Sequence, residues 1–153
     1  MKEPVFLVMI DKALAQTRAI EYAARRAKVL GGHVALLYVV EPVGIEAWGG
    51  VEKAVLDDAF DAARKEMLKH EAFVLNLSGR EAKTYYRKGE RMSALVDLIE
   101  THQDISSVVV AAKMDDGSKN PMMQSLLSDK GLKKMIVPII VVPEGLRSDE
   151  APT

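Results

Sequence analysis

The chain has 153 residues, 48% of them hydrophobic and 28% charged, the proportions of one domain able to fill its own core. With 21 Lys and Arg against 22 Asp and Glu the net charge is -1, so neither nucleic acid nor an anionic membrane surface is expected as the main partner. Cysteine is absent, which excludes disulfides, thiol nucleophiles and Cys-built zinc sites, and no run approaches the ~18 apolar residues of a membrane span.

The first apolar run, residues 5–10, is shorter than the core of a secretory signal and ends on Asp11 without a small-residue cleavage site, so a cytoplasmic location is expected. Such a short, β-branched run reads as a strand buried on both faces, the mark of a parallel sheet. Over residues 13–30, Leu14, Ala19, Ile20, Ala23, Ala24, Ala27 and Leu30 recur at three or four residues, predicting an amphipathic helix stopped by Gly31-Gly32. A second buried strand follows at residues 34–40, and then a loop from Glu41 to Gly50 that carries Trp48, read either as a lid or as a hydrophobic anchor. The period-3.6 pattern predicts a long helix over 51–77. Residues 81–88 are polar enough for an edge strand; Gly89 then turns the chain into a helix ending near His102. A strand at 106–112, a helix over about 121–134 and a strand at 139–142 complete the series. Five strands alternating with four helices predict a three-layer, Rossmann-like α/β domain over 1–143, with 144–153 as a flexible tail.

In such folds ligands bind beyond the C-terminal ends of the strands, which directs attention to Asp11, Glu41, Lys88-Gly89 and the segment from Lys113 to Asn120. Asn120-Pro121 is a strong helix start. The amides of Met122 and Met123, helped by Lys113 and Lys119, could hold a small anion there; the plainer reading is that Asn120 simply caps the helix. Asp11, Asp115 and Asp116 either converge on Mg2+ or Ca2+ or form a solvated rim, and no metal site is expected. His33, His70 and His102 are scattered; His70-Glu71 begins like a zincin helix, but Val74 occupies the second ligand position. No nucleophile triad or carboxylate pair stands at catalytic spacing, so an enzyme is not expected. Met114, Met122, Met123 and Met135 read as core filler or as an adaptable partner surface. The last strand, Ile139-Ile140-Val141-Val142, carries no charge, and exposed apolar sheet edges are normally blocked or paired, so a homodimer through this strand is predicted.

The pattern resembles the universal stress protein family. The carrying residues are Phe6 to Asp11, the helix from Ala19 to Ala27, Gly31 to Pro42, Gly89, and Val137 to Pro143, spread over residues 5–143. The resemblance implies sheet order 3-2-1-4-5 and dimers through the last strand. It also implies an ATP-binding loop of the form G-x2-G-x9-G-[ST] after strand four, but the corresponding positions here are Ala112, Asp115, Ser125 and Leu126. Without those glycines backbone amides cannot approach phosphates in the same way, and Asp115 would repel them. The expected function is therefore that of a non-catalytic stress-response dimer acting through an unidentified protein partner, without a cofactor. The alternative is an ATP or AMP sensor whose pocket takes in Asp11, Val39, Val40, Ala112, Lys113, Asp115, Met122 and Met123. A third reading is a weak Mg2+-dependent nucleotide hydrolase.

Overall fold

A computed structural model describes residues 3–41 and 52–147. Trp48 and residues 148–153 of the expected tail lie outside them. The elements run β1 (Val5–Ile10), α1 (Thr17–Leu30), β2 (His33–Val40), α2 (Glu52–Ser78), β3 (Lys83–Lys88), α3 (Arg91–Thr101), β4 (Ile105–Ala111), α4 (Pro121–Leu126), α5 (Asp129–Lys134) and β5 (Ile139–Val142). All five strands pair in parallel, in the order β3-β2-β1-β4-β5. The three-layer α/β fold and its strand order are those expected.

Alternation along β1 builds two cores. Phe6, Val8 and Ile10 face one side of the sheet and meet Ala19, Ile20, Ala23 and Ala27 of α1 with Ala63, Met67 and Val74 of α2. Val5, Leu7 and Met9 face the other side and meet Leu95 and Leu98 of α3 with Met122 and Leu126 of α4. Burial on both faces explains why β1 is apolar throughout. The α1 stop is as expected: Gly31 takes φ 68°, a left-handed backbone, and its amide donates to the Ala27 carbonyl.

Two boundaries differ from expectation. Helix α1 begins at Thr17, not near residue 13, because Asp11 Oδ1 accepts from the amides of Ala13 and Leu14 (both 2.8 Å) and folds 12–16 into a turn. The expected helix over 121–134 is two helices, α4 and α5, so the described residues hold five helices rather than four. The break is set by Ser128, whose hydroxyl accepts from the Gly131 amide (3.0 Å) and starts α5 afresh. Gly131 lets α5 fold back on α4: a Cβ there would stand 2.0 Å from the Ser125 carbonyl oxygen.

Strands β3 and β5 are the sheet edges. Lys83, Arg87 and Lys88 put charge along β3. On β5, Ile140 packs into one core and Ile139 into the other, Val142 is buried, and Val141 is 38% exposed. After Pro143 the chain turns, and the Leu146 carbonyl accepts from Arg18 (2.8 Å).

Candidate functional site

The strand order reverses at β1, which lies between β2 and β4. This is the position where open α/β sheets form a ligand crevice. Here β1 and β4 pair only over Val5–Leu7 and then part. The gap is filled by side chains of the protein itself. Gln16, 2% exposed, donates through Nε2 to the Met9 carbonyl (2.7 Å) on β1, and its Oε1 accepts from the Ala111 amide (2.9 Å) on β4. One side-chain amide thus does the bridging that ladder hydrogen bonds do lower in the sheet. Asn120, fully buried, donates to Gln16 Oε1 (2.9 Å) and to the Ala111 carbonyl (2.7 Å). Its Oδ1 accepts from the amides of Met122 (2.9 Å) and Met123 (3.3 Å). Buried amides satisfied to this degree form a rigid plug.

The loop after β4 closes over the plug. The Asp115 amide donates to the Ala15 carbonyl (2.9 Å), and its carboxylate accepts from the amide (2.7 Å) and hydroxyl (2.6 Å) of Thr17. Asp115 therefore caps α1 from another segment of the chain, at the helix end where the backbone dipole favours an anion. Asp116 turns instead to the Ser118 amide (2.9 Å) and hydroxyl (2.6 Å), whose hydrogen bonds hold its carboxyl below the ordinary range.

Asp11 is engaged elsewhere. Besides its two turn amides it accepts from Arg91 Nε (2.5 Å) and Nη2 (3.0 Å), a two-pronged pair at the start of α3. Arg91 Nε also lies 3.9 Å from Glu41. The hydrogen bond that Arg91 donates to Asp11 outweighs burial and raises the guanidinium pKa. Asp11, Asp115 and Asp116 thus have separate partners. Among the described residues no three His, Cys, Asp or Glu side chains come together as a metal site.

The candidate residues divide accordingly. Asp11, Val39 and Val40 line an open cleft of about 410 Å3 between the ends of β1 and β2 and helix α2, together with Tyr38, Glu66 and Arg91. Lys113 and Asp115 line a separate cleft of about 340 Å3 near the ends of β4 and β5. Ala112 is half-buried and its amide donates to the Val142 carbonyl (2.9 Å). Met122 is buried in the core and Met123 packs against it, so neither side chain faces a ligand space, and both amides belong to the Asn120 cap. Val40 turns its carbonyl to the Gly89 amide (2.9 Å) on the β3 side. Backbone groups alternate along a strand, so those of Val39 point to the β1 side, where the last partner pair, Ile10 with Tyr38, takes up its N–H. In the cleft wall the Tyr38 hydroxyl donates to Glu66 (2.8 Å); burial first, then this hydrogen bond, push the phenol pKa up.

Gln16, Tyr38, Glu66 and Arg91 were not singled out by sequence reasoning. Gln16 carries no motif, and Arg91 meets Asp11 only because β1 and α3 converge in space. The one available signal was position, and only for three of them: Gln16 follows β1, Tyr38 is near the end of β2 and Arg91 follows β3, whereas Glu66 sits in the middle of α2.

The sequence matches the model of the universal stress protein family over residues 5–143. No curated protein matches the chain in sequence. Among solved structures, universal stress protein UspA from Lactobacillus plantarum superposes with a TM-score of 0.70 at 21% identity, over 93% of this chain and 99% of that one. A universal stress protein from Archaeoglobus fulgidus in complex with dAMP superposes with a TM-score of 0.59 at 15% identity, over 92% and 97% of the two chains. One in complex with cAMP does so with a TM-score of 0.55 at 16% identity, over 94% and 98%. A match of this extent to the family, carried on the family's sheet order, settles the membership: the chain belongs to the universal stress protein family.

Proposed function

We propose that this protein works by association, as a cytoplasmic homodimer through β5 that engages a protein partner in a stress response, and that it neither holds ATP in the loop after β4 nor acts as an enzyme. The observation that carries the reading is the plug. Where the sheet opens, Gln16 and Asn120 fill the gap and Asp115 occupies the anion-favouring end of α1. A triphosphate there would have to displace a satisfied buried network and sit beside a carboxylate. Repulsion between unit charges about 4 Å apart amounts to about 4 kcal/mol at an effective dielectric of 20. The dimer rests on β5, an uncharged edge strand whose Val141 is exposed.

Sedimentation equilibrium at micromolar concentration tests the association. Val141 is the better probe than Ile140, whose side chain is also part of the core. The wild type is expected as a dimer, Val141→Lys as a folded monomer, and Lys65→Glu, exposed on α2, as a dimer. A monomeric wild type, or a Val141→Lys variant that still dimerises, contradicts the reading.

A second reading, an adenine-nucleotide sensor, is favoured by the relatives solved with dAMP and cAMP and by the open cleft at Val39. It would place the base against the Val39 backbone, but Asp11 is already saturated by Arg91 and two amides. A Mg2+-dependent hydrolase draws no support from three aspartates with separate partners.

A further inference from the structure

The two sheet edges, β3 and β5, differ in how their main chain meets solvent. The Val40 carbonyl accepts from the Gly89 amide (2.9 Å), so the main chain of Arg87 turns toward β2 and that of Thr84, Tyr86 and Lys88 toward the free edge. The middle carbonyl of that row is occupied. Arg87 Nη1 donates to the Tyr86 carbonyl (2.8 Å), so this exposed side chain folds across the edge of its own strand. Arg87 Cζ also stands 5.9 Å from the centre of the Tyr85 ring, and Arg64 Cζ on α2 stands 5.7 Å from that of Tyr86. Tyr85 and Tyr86 belong to opposite faces of the sheet, so a guanidinium lies on a ring on each side of the edge. Strand β5 is built the other way. The Ala112 amide donates to the Val142 carbonyl (2.9 Å), which leaves the main chain of Ile139 and Val141 facing outward, and no β5 side chain carries a donor to fold back on it.

From this we infer that Arg87 closes β3 to pairing with a second copy of this chain, and that this contact ends assembly at two chains. The inference rests on the β5 dimer of the association reading and adds where growth stops. Chains joined through β5 would form one sheet with β3 at both outer ends. If that edge paired with its own copy, dimer would link to dimer without closure, the route from a closed pair to an open fibre. To pair, an incoming strand must take the Tyr86 carbonyl from Arg87 and displace the guanidinium lying across it. The lysines are a weaker barrier. Lys83 is held by Asp104 (2.9 Å), and in an antiparallel β3–β3 pair centred on Tyr86, Lys88 stands opposite Thr84 and not opposite another cation.

Sedimentation velocity of the full chain over a concentration series tests this with Arg87→Thr, which removes the guanidinium and leaves a strand former at an exposed position. Arg87→Val, a second strand former, is read in parallel, and circular dichroism checks that both keep the wild-type fold. Each variant is expected to reach, reversibly on dilution, a mass that climbs with concentration to at least about twice that of the wild type. Arg87→Thr combined with Val141→Lys, which blocks β5, is expected to stop at two chains. The wild type in about 1 M salt, where charges are screened beyond about 3 Å, should not exceed two chains, because the hydrogen bond remains. Folded Arg87 variants that match the wild-type mass at every concentration overturn the inference. So does a wild type that grows past two chains in high salt, or a double variant that stays monomeric or grows past two. The two readings fail separately: a monomeric wild type would defeat the β5 dimer, while Arg87→Thr that still gained one pairing step would keep β3 as the closed edge. A dimeric wild type with an inert Arg87→Thr would do the reverse.

Discussion

Arg91 shows how much one residue can decide. Its guanidinium neutralises Asp11, which is 7% exposed, at the junction of β1, the following turn and α3. Removing one partner of such a pair leaves a buried charge with no counter-charge, at a typical cost of several kcal/mol. Arg91→Leu is expected to lower unfolding stability by about 3 kcal/mol in urea, since the Asp11 carboxylate keeps its two turn amides. A loss below about 1 kcal/mol would mean the pair is solvated rather than structural. His70 makes a second residue-scale prediction. Burial, then Lys69, lower its pKa, against the opposing fields of Glu66 and Asp115. The unfolded chain therefore takes up the proton first as pH falls below 6.5, and stability declines through that window. Lowering the pH from about 7 to about 5 should lower the melting temperature, and His70→Gln should flatten that dependence. The paired carboxylate Asp104, held low by Lys83, loses its contribution only below its ordinary value of 3.8, so the two windows separate. Asp11 was legible in the sequence as a residue at a strand end. Its partner was not, because eighty positions of chain separate the two and no local pattern links them.

At the scale of elements, the strands were legible and the helix ends only in part. Continuous apolar runs mark strands buried on both faces, and Asn120-Pro121 announces α4 by a local cap that the structure contains. The start of α1 was missed because its cap is Asp115, ninety-eight residues away. The break between α4 and α5 was missed because the apolar period runs on across it, while the fold-back depends on the close approach of Gly131 to Ser125. The same Asn120 serves both cap and plug. Asn120→Ala should therefore cost about 2 kcal/mol, more than a typical surface cap, because it also leaves Gln16 and the Ala111 carbonyl without their partner. Urea denaturation read at the far-ultraviolet helix signal checks this, and a loss confined to a few tenths of a kcal/mol would show that Gln16 holds the strands by itself.

For the whole molecule, the sheet order places the two edges on opposite flanks and gives them opposite characters. Lysine and arginine guard β3, whereas β5 offers main chain and Val141 with no charge. The polar character of β3 was visible in composition; β5, as apolar as the buried strands, was placed at an edge only by the strand order that the family resemblance implies. The plug was not visible. The absence of glycines at Ala112, Asp115 and Ser125 suggested a lost phosphate cradle, but only the three-dimensional arrangement shows Gln16 and Asn120 bridging β1 to β4. A thermal-shift series with ATP, ADP and AMP at millimolar concentration, with and without Mg2+, tests the central claim most directly. A ligand present at about 100 times its dissociation constant adds about 2.7 kcal/mol, a shift of roughly 5–10 °C for a domain of this size. The plugged crevice predicts no shift with ATP under either condition. A clear, Mg2+-dependent rise with ATP that exceeds the rise with AMP would contradict it, since a triphosphate would then have a cradle in the space that Gln16, Asn120 and Asp115 now occupy.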